Sequence, residues 1–202
     1  QYQQIGEVER RYDWNGRKGK LALTGFLTHG RMGAYASAIA LAAATGQSAD
    51  VAAVRRYATR SGVSLNVEQS LTETLGLFVR AGEADGDLEA YEFADIDRTV
   101  AAGLSQGGKG WGREEDRAAV AVVINAISGV HRAYLGAGGA GILIGDGRLP
   151  HPGNETILES YYSLAVAKGL HATLDYQFIQ NPAYNRDRGP VSVLGLRLHA
   201  QY

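Results

Sequence analysis

Cysteine is absent from the chain, which excludes a disulfide framework, thiolate catalysis and cysteine-based zinc sites, and suits an oxidising compartment. Charge of one sign is absent too: 20 basic residues face 21 acidic ones. There is no basic field for nucleic acid and no polybasic patch for a membrane surface. Long apolar runs are also missing. The best is the Ala-rich stretch from Tyr35 to Ala44, well short of the roughly 18 residues a spanning helix needs, so a helical membrane protein is excluded. A membrane barrel escapes that test, because only every second residue of a strand faces lipid. The opening Gln1-Tyr2-Gln3-Gln4 has neither a basic nor an apolar leader region. A signal peptide has therefore been removed, or the chain starts inside a longer protein. Only 4 prolines accompany 27 glycines, and glycine suits strands that bend around a barrel or meet in tight turns.

What is present is alternation. Leu170, Ala172, Leu174, Tyr176 and Phe178 alternate with His171, Thr173, Asp175 and Gln177; Leu194, Leu196, Leu198, Ala200 and Tyr202 alternate with Gly195, Arg197, His199 and Gln201. One face is apolar and the other wet, the pattern of a strand between lipid and water. A soluble sheet also alternates, but its polar face is usually Lys, Glu and Thr.

Strands are expected at residues 3–12, 20–28, 63–71, 76–83, 93–105, 118–127, 155–164, 170–179 and 191–202. Most are close to the nine to eleven residues, approximately, of a tilted spanning strand. Outward positions are Leu21, Leu23, Leu27, Val63, Leu65, Val67, Leu71, Leu77, Val79 and Ala81, with Thr24, Ser64, Asn66, Glu68, Ser70 and Arg80 on the other face. Connections at 15–19, 72–74 and 165–168 are tight, whereas 30–62, 127–154 and 180–190 are long. This parity is that of a barrel with turns at one end and loops at the other. The links 106–117 and 84–92 depart from it, being too long and too short. The 30–62 loop is expected to be external and partly helical, at the pore mouth or on the surface.

Several motifs are tested and set aside. Residues 136–141 match G-x-G-x-x-G, but no buried strand precedes them and no helix follows, so a Gly-rich external loop is the better reading than a dinucleotide site. The histidines at 29, 131, 151, 171 and 199 have no zinc-ligand spacing. Asp95, Asp97, Glu68, Glu159 and Asp175 would serve a glycosidase, yet a wet barrel wall yields the same scatter of acids, and no G-x-S-x-G or triad order is present. Neither catalytic nor metal residues, nor any cofactor, are assigned. In the final hairpin His171 should face His199, Thr173 face Arg197 and Asp175 face Gly195, making Asp175 and Arg197 diagonal neighbours suited to an ion pair.

The segments Leu75–Gly82, Phe93–Arg98, Tyr134-Leu135 with Gly138-Gly139, Gly145-Asp146-Gly147, Glu155–Tyr162, Asp175-Tyr176-Gln177, Asn181-Pro182 and Tyr184–Pro190, in that order, make the chain resemble the C-terminal half of the carbohydrate-selective porin family of Gram-negative outer membranes. The resemblance implies an all-β fold, an antiparallel transmembrane β-barrel of porin type. The chain would supply about nine C-terminal strands of a sixteen-stranded barrel. It implies passive conduction of small carbohydrates such as glucose, with divalent cations or general small solutes as the alternative. A soluble sugar-binding domain or glycan hydrolase is the rival from another class. Expected pore-lining residues are Arg80, Asp95, Asp97, Glu159, Asp175, Arg197 and His199; Asn185, Arg186, Asp187 and Arg188 belong to an external loop. Tyr161, Tyr162, Tyr176 and Tyr202 are candidates for the interfacial aromatic girdle. Sugars, outer-membrane lipid, the missing N-terminal strands and a homo-oligomer are the expected partners.

Overall fold

A computed structural model describes residues 1–90, 95–141 and 149–201. Among them, nine strands form one antiparallel sheet in chain order: β1 (Tyr2–Trp14), β2 (Arg17–Met32), β3 (Arg56–Ser70), β4 (Leu75–Ala84), β5 (Arg98–Gly107), β6 (Arg117–Ala126), β7 (Glu155–Ala167), β8 (Leu170–Gln180) and β9 (Val191–Ala200). Every strand pairs with its neighbour in sequence, which is the meander of an up-and-down barrel wall.

The tight links follow from local chemistry. Asn15 and Gly16 both take positive φ, 53° and 72°, the two-residue turn whose twist matches antiparallel strands. Between β3 and β4 the Thr72 hydroxyl accepts from the N–H groups of Thr74 and Leu75 at 3.2 and 2.9 Å. The link after β5, expected to break the parity, is a compact clamp on the next hairpin. Asp116 accepts from Arg113 and from the Tyr162 hydroxyl at 2.5 Å, and its other oxygen takes the Ala165 N–H at 2.8 Å. Hydrogen bonding by Arg113, then by Tyr162 and Ala165, holds this carboxyl down at about 2. Trp111 donates to the same Tyr162 oxygen at 3.1 Å. All four turns lie at one end, and the connections 33–55, 85–97, 127–154 and 181–190 lie at the other.

Two expected boundaries are corrected. β5 begins at Arg98, so Asp95 and Asp97 lie in a loop instead of on a strand, and the fourth connection is long, as the parity requires; Phe93 lies outside the described residues. β2 and β3 run on to Met32 and back to Arg56, because ladder pairing continues past the apolar alternation, out to Arg31 opposite Tyr57 and Met32 opposite Arg56.

The registers separate the two faces. One row crosses the sheet as Leu21, Val67, Val79, Ala102, Val122, Leu158 and Phe178; the next position along carries Lys20, Glu68, Phe78, Gly103, Ala121, Glu159 and Gln177. Side chains of one row share a face, since consecutive residues point to opposite sides. The apolar face is bare: Leu194, Leu196 and Leu198 are 75%, 75% and 71% exposed, and Leu23, Val63, Val100, Val120, Ile124, Leu158 and Leu174 are exposed as well. Such a continuous patch far exceeds what a soluble monomer leaves in water. The buried apolar cluster lies elsewhere, among the long connections, in Tyr35, Ala38, Val51, Ile127, Tyr134, Leu135, Leu149 and Tyr184. No residue of that cluster belongs to a strand.

The girdle is corrected in one place. Tyr162 and Tyr176 share the apolar face, but Tyr161 pairs with Asp175 on the polar one, because adjacent residues of a strand cannot both point outward; Tyr202 lies outside the described residues. Additional aromatic residues on the apolar face are Trp14 at the turn end and the stacked Tyr2, His29 and Tyr57 at the loop end, with centroids 5.2 and 5.7 Å apart.

An arginine at position 196 would stand in hydrocarbon at a cost of about 2 to 4 kcal/mol. Leu196→Arg is expected to abolish the heat-modifiable folded band on cold SDS gels, whereas Gln177→Arg, on the polar face, retains it; the opposite ranking would overturn the assignment of faces.

Candidate functional site

The polar face is a ladder of short-range pairs with both signs of charge. Thr24 donates to Glu7 at 2.7 Å, Lys20 meets Glu68 at 2.9 Å, and Asn66 donates to Glu68 at 3.1 Å while accepting from Arg80 at 3.4 Å. Further along the sheet Thr99 donates to Asn125, Asn125 to Glu155 and Gln177 to Glu159, at 2.8, 3.1 and 3.3 Å. Half-exposed pairs of this kind add little stability. What they provide is a wall of donors and acceptors without a dominant sign.

Arg80, Glu159, Asp175, Arg197 and His199 all stand on this face, and the final hairpin pairs His171 with His199, Thr173 with Arg197 and Asp175 with Gly195. The diagonal ion pair is not formed: among the described residues no ion pair joins Asp175 to Arg197. Asp175 stands opposite Tyr161 of the other neighbouring strand, diagonal to Glu159.

Asp95 and Asp97 serve a different structure. The long connections interlock over the polar face, and Asp97 is their junction. It accepts from Arg60 of β3 at 3.3 Å and from the Ser128 N–H at 2.7 Å, and faces His131 Nδ1 at 3.0 Å. Ser128 caps helix α2 (Gly129–Gly136) by accepting from the His131 N–H, and donates to the Gly86 carbonyl at 2.7 Å. His131 stacks on Tyr35 of helix α1 (Tyr35–Thr45) with centroids 4.2 Å apart, and Tyr134 packs on the same ring at 4.9 Å. Glu89 takes both Arg55 nitrogens and the Gly33 N–H at 2.6 to 2.8 Å, while the Tyr184 hydroxyl reaches the Asp95 carbonyl at 2.6 Å. Arg60 belongs to the polar row, so its bond to Asp97 places the cap on the wet side of the sheet.

Asn185, Arg186, Asp187 and Arg188 lie in the β8–β9 connection at the loop end. Asn185 is buried, the Arg186 N–H donates to the His151 carbonyl at 2.9 Å, and Asp187 faces the His151 ring at 2.9 Å. The glycines at 136–141 begin at the end of helix α2, where the dinucleotide fingerprint requires a strand; Gly145-Asp146-Gly147 lies outside the described residues. Sequence reasoning missed Arg60, Glu89, Ser128 and His131. Ser128, which closes the apolar run of β6 and precedes Gly129, was the one readable signal, as a helix N-cap.

Burial pushes the Asp97 carboxyl up, but the hydrogen bonds of His131 and Ser128 and the charges of His131 and Arg60 outweigh it and hold the group below its ordinary 3.8. A carboxyl depressed in the folded state contributes stability that is present above its unfolded value and lost as pH falls through the folded one. Protease resistance of the 33–55 connection is therefore expected to persist from neutral pH to 3.8 and to fail only below it. Asp97→Ala, which strands the buried Arg60, should destabilise the cap by on the order of 3 kcal/mol and expose that connection to cleavage at neutral pH. Unchanged digestion of the variant would show that Asp97 is not the junction.

A nine-stranded meander, apolar on one face and wet on the other, with turns at one end and interlocked loops at the other, is the wall of an outer-membrane β-barrel. The sequence model of the carbohydrate-selective porin, OprB family, matches residues 2–202, and the chain belongs to that family of Gram-negative outer-membrane proteins. Among solved structures it is similar to that of Pseudomonas putida OprB at high pH, with a TM-score of 0.78 at 18% identity, over 97% of this chain and 47% of that one. The chain thus spans about half the length of that protein. No significant match is found among curated proteins.

Proposed function

We propose that the chain forms part of a water-filled channel through which small carbohydrates such as glucose pass down their gradient. The observation that carries this reading is the mixed-sign ladder on the polar face of a chain whose family is carbohydrate-selective porins. Sugar hydroxyls both donate and accept, so a wall carrying Arg80, Asn66, Thr99, Gln177 and Glu159 exchanges hydrogen bonds with them at every level. Arg80, Glu159, Asp175, Arg197 and His199 line the passage in this reading, while Asp95 and Asp97 act at its mouth through the cap. The long connections, 181–190 with Asn185 to Arg188 included, face the outside of the cell, and the short turns face the periplasm.

The reading includes no catalytic step. It does require neighbours: among the described residues β1 pairs only with β2 and β9 only with β8, and hydrocarbon does not tolerate unpaired strand edges. The remaining N-terminal strands of a longer barrel close the wall in this proposal, lipid covers the apolar face, and a homo-oligomer is a further assembly of the closed barrel. Residues 1–202 are then its C-terminal part.

Liposomes carrying the protein purified from outer membranes should swell in isosmotic glucose, more slowly in disaccharides, and should give a reversal potential close to zero across a KCl gradient. Impermeability to glucose in liposomes that conduct ions would overturn the carbohydrate reading and leave an ion pore.

A further inference from the structure

Two phenylalanines stand on the face that carries the polar ladder, and both lie along the wall. Phe26 of β2 pairs with Gly62 of β3, and a Cβ on Gly62 would collide with ring carbons Cε1 and Cζ of Phe26. Phe78 of β4 lies over Gly103 of β5 in the same way. In each pair the glycine lets the ring cross to the next strand instead of projecting into the passage.

The two rings differ in what covers them. The Arg80 guanidinium sits 5.1 Å from the centre of Phe78, so that ring holds a cation in place. Among the described residues no cation lies over Phe26. Phe26 borders instead a cavity of about 770 Å³, together with Gln3, Thr28, Arg60, Ser64 and Thr99. The Gln3 amide donates to the Thr28 hydroxyl at 3.0 Å, which leaves its carbonyl oxygen as an acceptor. Arg60 closes the cavity towards the cap, where Asp97 and the Asp85 carbonyl fix its guanidinium.

We propose that Phe26 is a stacking platform for a hexopyranose at the loop end of the passage. A pyranose has one face of axial C–H groups and a rim of hydroxyls. The C–H face is matched by an aromatic ring that carries no cation, whose π-face is negative, and the rim by the surrounding amide and hydroxyl groups. A free hexose is the size such a cavity accepts. The platform gives the passage a saturable step where sugars dwell before moving on. This inference rests on the carbohydrate reading above and adds to it the residue that recognises the ring.

The test is sugar block of ionic current in planar bilayers, using protein purified from outer membranes. Glucose should reduce the wild-type current with a measurable half-blocking concentration. In Phe26→Ala that concentration should rise about three- to tenfold while the open-channel ion current does not fall, and Phe26→Trp, which keeps an aromatic surface, should stay close to wild type. An unchanged half-blocking concentration in Phe26→Ala, with sugar still permeating, would overturn the platform and leave the porin reading intact. An equal rise in both variants would also overturn it, as a steric effect at Gly62. A wild-type channel that conducts ions but neither passes nor senses glucose would remove both. Heat-modifiable migration of each variant verifies that the barrel has formed.

Discussion

Backbone hydrogen bonding is the constraint from which the rest of the structure follows. Hydrocarbon offers no partner to an N–H or a carbonyl, so a spanning strand has to satisfy every such group on its neighbours. An uninterrupted ladder fixes the register of each strand, and with a pleat of period two the register fixes the face of every side chain. A one-residue slip of β9 against β8 would bring Arg197 and His199 into lipid and turn Leu194, Leu196 and Leu198 to the wet face. That penalty excludes every odd-numbered slip from the pairing of Thr173 with Arg197.

The same logic decides what the amino-acid sequence discloses. Alternation is a local property, so all nine strands, the outward residues of β2 to β4 and the full register of the last hairpin are readable without coordinates. It fails where local pattern and membrane exposure part company. Residues 95–97 read as a continuation of β5 because Asp95 and Asp97 flank Ile96, yet both are committed to loops distant in sequence, the Asp97 carboxylate to Ser128 and His131 and the Asp95 carbonyl to Tyr184. Tyr161 and Tyr162 are both amphipathic, so composition alone offers both to the interface; the pleat admits one. Helix α2 has glycine at both ends and only eight residues, and it forms because Ser128 caps it and Tyr134 finds a place against Tyr35.

The cap is built as a small soluble core, in contrast to the wall beneath it. Its apolar cluster is closed and its buried charges are paired: Asp97 with Arg60, and Glu89 with Arg55. Removing one partner of such a pair costs more than the pair contributes, because the survivor stays buried and unmatched. The cap therefore behaves as a unit fastened to the rim of the sheet, with Arg60 as the fastening on β3. Contacts of this sort join residues 25 to 89 positions apart, which explains why no window of sequence announces them.

The dimensions of the apolar face agree with a bilayer on independent grounds. On β1 the aromatic residues at the two ends of that face are Tyr2, stacked on His29, and Trp14 at the turn end. Twelve residue steps at about 3.3 Å give some 40 Å of strand, and a tilt of roughly 40° reduces this to about 30 Å across the membrane, the thickness of a bilayer's hydrocarbon core. β2 is 16 residues long, more than that span requires. Its surplus lies at the loop end, with Gly30, Arg31 and Met32 beyond the level of Tyr2 and His29. Pairing continues there in water, which gives the cap a rigid rim to rest on. Strand length is thus set twice over, by lipid in the middle and by the loops at the end.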